Sequence, residues 1–212
     1  MTRVTRRVRW LALGGVIGPV VFVGSWALAG ATTSGYSAVD GAISDLAAAH
    51  ASTQVAMTVG FVVFGIGVIA FGFALRAVLP GRAWIAAVVT GACTIGVAAT
   101  PLHGWSGDEV HGTFAVFGYT AIVALPLLAA APLAAAGRRG WASVSVVVAV
   151  TSAACLIATA FGTAHGLWQR LGLTVADAWI VVTASYLVAE TDGVQVRTRR
   201  QPGRRSRAGR RA

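Results

Sequence analysis

Residues 54–79 read QVAMTVGFVVFGIGVIAFGFALRAVL, and this stretch decides the fold class. Its one charged side chain is Arg76, near the end, and its apolar residues do not alternate with polar ones. About 20 such residues are enough to cross the hydrocarbon core of a bilayer as an α-helix, whereas a strand of a membrane barrel would show a period of two. The stretch therefore predicts a transmembrane helix.

Five further apolar runs of similar length accompany it, at residues 10–31, 83–103, 111–136, 141–164 and 167–189. The connections are mostly short, so we expect neighbouring helices to be antiparallel. Pro19, Pro126 and Pro132 lie inside the first and fourth runs, where the missing backbone N–H predicts kinks. The sequence thus predicts an all-α polytopic integral membrane protein, a bundle of six transmembrane helices.

The composition of the whole chain agrees with this prediction. Of 212 residues, 56% are hydrophobic and 11% are charged, and the mean hydropathy is +0.73. Soluble domains carry roughly 25% charged residues, so the composition argues against a soluble domain and excludes a disordered chain. The two cysteines, Cys93 and Cys155, fall inside apolar runs and are predicted to be buried free thiols.

The net charge of +10 comes from 17 arginines set against seven acidic residues. Four arginines precede the first apolar run and eight follow the last one, which leaves the body of the chain slightly acidic. Neither basic tail has a neighbouring aromatic or helical element that could read bases. We therefore predict no specific nucleic-acid partner.

The positions of the arginines also predict the orientation in the membrane. In a six-span topology, 16 of the 17 arginines fall on one side, and Arg170 alone falls on the other. Arginine marks the cytoplasmic side, so we predict a plasma-membrane protein with a basic N-tail (1–9) and an Arg-rich C-tail (190–212) in the cytoplasm. We expect the C-tail to be disordered and to contact anionic inner-leaflet lipids. The first run is too long for a secretory h-region, which favours an uncleaved anchor.

The histidines and most of the acidic residues gather at the predicted outer side. In the first outer connection, Ser37 and Asp40 form a capping-box-like start and Ile43 and Leu46 follow at helical spacing, which predicts a short surface helix near residues 38–50. The candidate outer polar cluster consists of Asp45, His50, His103, Asp108, His111, His165 and Asp177.

A metal site is one interpretation of this cluster. His103, His111 and His165, with Asp45 or Asp108 as an oxygen ligand, could hold zinc, which takes three or four such groups. Their spacing matches no standard ligand motif, and the alternative is that the histidines bridge helix ends and water.

A serine nucleophile is a second interpretation. The Gly104-Trp-Ser106-Gly107 segment, with the distant His165, resembles the Ser/His dyad of rhomboid intramembrane proteases, which also have six helices. Two acidic residues follow the serine closely, and no second-helix histidine supports an oxyanion site, so the segment departs from the rhomboid pattern.

Asp177 lies inside the last predicted span, where a carboxyl group is costly. Its predicted partners are Thr174, one turn away, and Arg170, two turns away on the same helix. The alternatives are a hydrated helix contact and a station in a proton or ion relay, although no other acidic residue lies inside a span.

Several short segments of the chain form a recognisable pattern. They are Gly18-Pro19, Gly35-Tyr36-Ser37, Ala42-Ile-Ser-Asp-Leu46, Gly60-Phe61, the stretch 65–76, Gly166-Leu-Trp-Gln-Arg170 and Trp179. With this pattern the chain resembles the bacterial and archaeal membrane proteins of domain of unknown function 998, over roughly residues 14–190. The resemblance implies a compact multi-span α-helical membrane protein, and it brings no reaction, cofactor or catalytic residue.

Three functions follow as alternatives. The first is a non-enzymatic membrane protein that binds lipid or a partner through its outer loops. The second is a membrane-embedded hydrolase or lipid-modifying enzyme, with or without a metal, that uses the outer His/Asp cluster. The third is a small transporter subunit, which the single intramembrane acid and the lack of a detectable internal repeat disfavour.

Overall fold

The structure is a computed structural model that describes the backbone of residues 6–199 and the side chains of residues 6–189. The described residues form six long helices and no strand. The helices are α1 (Arg6–Thr32), α2 (Gln54–Val78), α3 (Ala83–Ala99), α4 (Asp108–Ala135), α5 (Arg139–Ala158) and α6 (His165–Arg199), and a short 3-10 helix covers Ile43–Ala47.

Five of these helices, all except α3, are long and apolar enough to cross a membrane. The all-α, membrane-type fold predicted from the sequence is confirmed to that extent. Helix α3 has 17 residues, or roughly 25 Å at 1.5 Å per residue, against a hydrocarbon core of about 30 Å. It ends at Ala99 because Thr100 precedes Pro101, and a residue before proline is disfavoured in the helical region.

The helices extend beyond the predicted runs at both ends of the chain. Helix α1 begins at Arg6, inside the predicted N-tail, and α6 continues to Arg199, so the first ten residues of the predicted C-tail are helical. Arginine is a good helix former, and no proline interrupts the sequence before residue 202. The remaining parts of the predicted tails, residues 1–5 and 200–212, lie outside the described residues.

The six helices form a closed ring in chain order. Each helix packs on the next one, and α6 returns to pack on α1. Glycines permit the closest approaches: a methyl group at Gly14 would lie 2.5 Å from the carbonyl oxygen of Gly67, and one at Gly91 would lie 2.4 Å from that of Gly65. The α1–α2 and α2–α3 pairs therefore meet backbone to backbone, as small residues permit in membrane helices.

The ring has two ends with different chemistry. We call the end with connections 33–53, 100–107 and 159–164 the loop end, and the end with connections 79–82 and 136–138 the arginine end. All four histidines lie at the loop end, whereas Arg82 and Arg138 lie at the other. The centre of the ring is filled by apolar side chains, among them Val68, Phe71 and Leu125.

The first connection contains a shorter helix than the range predicted near residues 38–50. Its helical part is the 3-10 helix Ile43–Ala47, which begins after extended Ala42 and ends at extended Ala48. Ser37 and Asp40 do bond to each other, with 2.8 Å between Ser37 Oγ and Asp40 Oδ2, but they close a turn and begin no helix. The neighbouring backbone groups bond instead to side chains of α6.

Candidate functional site

Arg170 of α6 is buried at the loop end and binds the backbone of the first connection. It exposes 6% of its surface, and its Nη1 donates to the carbonyl oxygens of Ala38, Gly41 and Gly166 at 2.8–2.9 Å. Its Nη2 donates to the hydroxyl of Tyr36. Carbonyl oxygens that a surface helix would have used internally are therefore occupied by a guanidinium group.

Two aromatic rings complete the surroundings of Arg170. Its guanidinium carbon lies 5.2 Å from the ring centroid of Trp26 and 5.6 Å from that of Tyr36, within the range of cation–π attraction. Burial raises the pKa of Tyr36, and the hydrogen bond and charge of Arg170 lower it to a smaller extent. Tyr36 therefore keeps its proton and donates to the carbonyl oxygens of Gly41 and Ala42, at 3.0 and 2.7 Å.

Gln169, the neighbour of Arg170, ties the 3-10 helix to α4. It exposes 8% of its surface, and its Oε1 accepts the backbone N–H of Ile43 at 2.8 Å. Its Nε2 donates to the hydroxyl of Tyr119 on α4. Because Arg170 and Gln169 hold the backbone up to Ile43, they also fix the position of the next residue, Ser44.

Ser44 and His111 form a hydrogen-bonded pair at the loop end. Ser44 Oγ lies 3.0 Å from Nε2 of His111, and Nδ1 of His111 lies 2.7 Å from the carbonyl oxygen of Thr100. A carbonyl oxygen only accepts, so Nδ1 carries the hydrogen and Nε2 of the neutral ring accepts the proton of Ser44. The 3-10 helix, the end of α3 and the first turn of α4 supply the three groups.

Burial fixes this geometry. His111 exposes 4% of its surface, and Ser44 is half-buried. A serine within hydrogen-bond reach of an imidazole, with the imidazole oriented by a third group, is the arrangement that activates a nucleophile. Here a backbone carbonyl occupies the place that a carboxylate takes in a Ser-His-Asp triad.

A small cavity adjoins Ser44 inside the ring. Its volume is about 50 Å³, and Ser44, Tyr119 and Gln169 contribute the polar part of its lining near the loop end. The rest is mainly apolar and includes Phe22, Phe61, Phe64 and Phe114. A buried water needs about 10–15 Å³ by the same measure, so the cavity takes roughly three water-sized groups.

The structure brings together only two of the seven predicted cluster residues. His103 and Asp108 lie in contact, with 3.2 Å between Nδ1 and Oδ2, and the two side chains are 73% and 50% exposed. Asp45 is exposed and accepts the backbone N–H of its neighbour Ala42. His50 is exposed in the first connection, and His165 is exposed at the start of α6.

The described part of the chain contains no set of side chains that could serve as the predicted metal ligands. Within it, no group of three or more His, Cys, Asp or Glu side chains is placed to hold a metal ion. His111 uses both ring nitrogens on Thr100 and Ser44, and His103 is paired with Asp108. The three histidines of the predicted zinc site are thus engaged separately or exposed.

Neither Ser106 nor Asp177 has the partner predicted for it. Ser106 Oγ is buried without a hydrogen-bond partner in the described region, so it makes no bond to His165. Asp177 exposes 2% of its surface, and both of its carboxyl oxygens lack partners there. The predicted contacts of Asp177 with Thr174 and Arg170 were wrong, because Arg170 turns to the carbonyl groups of the first connection.

Sequence reasoning missed Ser44, Thr100, Tyr36, Tyr119 and Gln169 as site residues. Thr100 takes part through its backbone, which leaves no mark in a sequence. Ser44 and Gln169 belong to the two segments, Ala42–Leu46 and Gly166–Arg170, that carry the family resemblance, and the structure places these segments in contact through the Ile43–Gln169 bond. The co-occurrence of two polar family segments was the available signal.

The comparison with family models gives one match, to the protein of unknown function DUF998, over residues 16–186. The chain belongs to this family, as the resemblance in its sequence implied. No curated protein and no solved structure matches the chain. The matched region contains all three groups of the Ser44–His111–Thr100 arrangement.

Proposed function

We propose that this member of the DUF998 family is a multi-pass plasma-membrane enzyme that transfers or hydrolyses acyl groups, with Ser44 as nucleophile and His111 as general base. The observation that carries the proposal is the Ser44 Oγ to His111 Nε2 hydrogen bond of 3.0 Å, with Nδ1 held on Thr100. The proposed catalytic residues are therefore Ser44 and His111, and the other residues of the predicted outer His/Asp cluster have no part in the reaction.

The reaction balances with these groups alone. Ser44 Oγ forms a bond to the carbonyl carbon of an ester while Nε2 of His111 takes the hydroxyl proton. The proton then passes from His111 to the departing alkoxide, which leaves as an alcohol. The acyl group stays on Ser44 as a covalent intermediate. Water or a second alcohol attacks this intermediate and gives its proton to His111. His111 passes that proton to Ser44 Oγ as the acyl–serine bond breaks, which releases the acid or the new ester and restores the dyad.

The surroundings of Ser44 favour a lipid-type substrate. The cavity beside it is mainly apolar, so it suits a short alkyl end of the acyl group. Tyr119 lines the same cavity, and its hydroxyl oxygen accepts from Gln169, which leaves the hydroxyl proton for a substrate oxygen. A donor in that place would stabilise the negative charge that develops on the carbonyl oxygen.

The proposed topology has six spans, with α3 included, both termini in the cytoplasm and the loop end outside. Short connections at the arginine end carry Arg82 and Arg138, which supports the cytoplasmic assignment of that end. Reporter fusions at residue 212 and in connection 100–107 test it. We expect cytoplasmic signal from the first and external signal from the second, and the reverse pattern would overturn the orientation.

The test of the dyad is labelling of the detergent-purified full chain with a fluorophosphonate probe, which reacts with activated serines. We expect labelling of the unaltered protein, its loss in Ser44→Ala, and a reduction of roughly 100-fold or more in rate in His111→Gln. Ser37→Ala is the matched control, because Ser37 is an exposed serine of the same connection and is expected to leave labelling unchanged.

Two results would overturn the proposal. One is the absence of labelling in a correctly folded unaltered protein, and the other is equal labelling of the Ser44→Ala variant. Thermal unfolding of each variant in the same detergent separates loss of chemistry from loss of fold. If the dyad is only structural, His111→Gln lowers the unfolding temperature while no chain is labelled at any stage.

A further inference from the structure

The cavity beside Ser44 is enclosed by the ring of helices. Its lining comes from α1, α2, α3, α4, α6 and the 3-10 helix, and none of the lining residues is exposed. It extends from Ser44 to Phe64 on α2 and Thr90 on α3. These two residues lie about ten residues, or roughly 15 Å, from the loop ends of their helices at Gln54 and Ala99. Ser44 therefore lies at one end of a closed space inside the ring.

Three phenylalanine rings form a rigid part of the cavity wall. The ring centroid of Phe22 lies 5.4 Å from that of Phe61 and 5.1 Å from that of Phe64. Each of these three side chains exposes at most 5% of its surface. Because protein interiors are close-packed, rings that contact one another in this way have little room to move aside. The wall therefore limits the length of an alkyl chain that enters the cavity.

The volume of the cavity sets that length. At about 50 Å³ it has room for roughly three water-sized groups. When an ester carbonyl carbon is bonded to Ser44 Oγ, its oxygen and its alkyl carbons have to occupy this space. The oxygen and about two carbons fill it, whereas the chain of a fatty acid needs several times the volume. The cavity therefore suits a short acyl group.

The two threonines of the cavity use their hydroxyl protons within α3. Thr90 Oγ1 donates to the carbonyl oxygen of Ala86, and Thr94 Oγ1 donates to that of Thr90, both at 2.9 Å. A carboxylate or ammonium group at the end of an acyl chain would therefore be buried against apolar side chains and hydroxyls that are already bonded. Burial of a charge in such surroundings is costly, so the cavity favours an uncharged acyl group.

We propose that this cavity selects the acyl group, and that Ser44 accepts an uncharged acyl group of about two or three carbons, such as acetyl. The inference rests on the proposed function and names its substrate class as short-chain esters. The acyl group passes from the alcohol oxygen to Ser44 Oγ and then to water or a second alcohol, with the proton transfers through His111 given above.

The alcohol part of the substrate lies on the other side of Ser44. The next residue, Asp45, is exposed, so the loop side of Ser44 is open to the surroundings of the protein. A long alkyl chain in the substrate therefore belongs to the alcohol and stays outside the cavity. The residues that determine specificity are then those of the enclosed wall, which include Phe64 and Ile122.

Acylation of the detergent-purified full chain by p-nitrophenyl acetate, butanoate and octanoate tests this selection, because the three esters share one leaving group. Intact-mass spectrometry measures the acyl-Ser44 adduct over time, and the Ser44→Ala chain gives the background. We expect the acetate to acylate Ser44 at least about tenfold faster than the octanoate, since one methylene in a pocket changes a rate by about tenfold or more. Equal rates for the three esters would overturn the inference.

Ile122→Ala tests the wall of the cavity. Ile122 lines the cavity and exposes 2% of its surface, so a shorter side chain there enlarges the space. We expect the ratio of the butanoate rate to the acetate rate to rise about tenfold. Ile180→Ala is the matched control, because Ile180 is a buried isoleucine that does not line this cavity, and it keeps the ratio of the unaltered chain. Equal shifts in the two variants would overturn the inference.

Failure of the proposed function gives a different result. If no ester acylates Ser44 and the fluorophosphonate probe does not label it, the dyad is overturned and the inference with it. If the probe labels Ser44 but the three esters react equally or not at all, the dyad stands and only the selection of a short acyl group is overturned. The comparison of esters uses the unaltered chain, so it does not depend on the folding of a variant.

Discussion

The guanidinium of Arg170 on α6 donates a hydrogen bond to the hydroxyl of Tyr36, 134 residues earlier in the chain. This contact and the three carbonyl oxygens bound by Arg170 attach the first connection to the last helix. None of these four bonds is to a carboxylate, and the charge of Arg170 is stabilised by carbonyl dipoles and by the rings of Trp26 and Tyr36. The position of Ser44 depends on this attachment.

Replacement of Arg170 by lysine is expected to destabilise the protein by about 2–4 kcal/mol, because an ammonium group cannot reproduce the forked set of bonds. Thermal unfolding in detergent measures the loss, and fluorophosphonate labelling of Ser44 is expected to fall with it. Arg82→Lys is the control, since Arg82 is an exposed arginine in a connection at the other end of the ring. Equal stability of the two variants would contradict the role given to Arg170.

The helices could be predicted from the sequence because hydropathy is a local property. An apolar run such as residues 54–79 has to satisfy its backbone hydrogen bonds internally in a bilayer, and only a helix does so within one segment. The ends were harder to predict. Helix α3 ends at Ala99, before Pro101, although the apolar run continues toward His103.

The site could not be predicted because its contacts are long-range and partly with the backbone. Ser44 and His111 are 67 residues apart, and Arg170 bonds to carbonyl groups about 130 residues away. A carbonyl oxygen is present at every residue, so no residue type marks it as an acceptor. His111 was a candidate from its position in the outer cluster, but its actual partner, Ser44, was not.

The ionisation of Tyr36 should make the stability of the loop end depend on alkaline pH. Burial raises the pKa of Tyr36 in the folded chain above its usual value of about 10. The folded state therefore holds this proton more tightly than the unfolded state, and the resulting stabilisation is complete below about pH 10 and is lost as the pH rises through the folded pKa.

Thermal unfolding of the unaltered chain and of Tyr36→Phe between pH 8 and about pH 11 checks this expectation. The unaltered chain should be the more stable of the two at pH 8, where the hydroxyl makes its bonds, and the difference should shrink above about pH 10. A difference that stays constant across the range would contradict the linkage.

The glycines at the α1–α2 contact should tolerate no side chain. A methyl group at Gly14 would lie 2.5 Å from the Gly67 carbonyl oxygen, so Gly14→Ala has to push two backbones apart, at a cost of about 1–3 kcal/mol. Gly24 lies in the same helix with nothing within 4 Å of such a methyl group, so Gly24→Ala is expected to leave the unfolding temperature unchanged or raise it. Equal effects at the two positions would contradict the packing of α1 on α2.

The exposed contact between His103 and Asp108 should contribute little to stability or chemistry. Both side chains are at least half exposed, and pairs of this kind stabilise proteins by less than about 1 kcal/mol. His103→Ala is expected to preserve the unfolding temperature and the labelling of Ser44, whereas His111→Gln removes the labelling. Loss of labelling in His103→Ala would return His103 to the catalytic site.

Asp177 should destabilise the folded chain relative to an asparagine at the same position. Its carboxyl group is buried, and neither oxygen has a hydrogen-bond partner in the described region. An unpaired carboxyl group costs more to bury than an amide of the same shape, because only the carboxyl can carry a charge. Asp177→Asn is therefore expected to raise the unfolding temperature in detergent at pH 7. A lower unfolding temperature would show that the carboxylate has a partner and would contradict this prediction. Loss of Ser44 labelling in a folded Asp177→Asn variant would show that the enzyme needs the carboxyl group although it destabilises the fold.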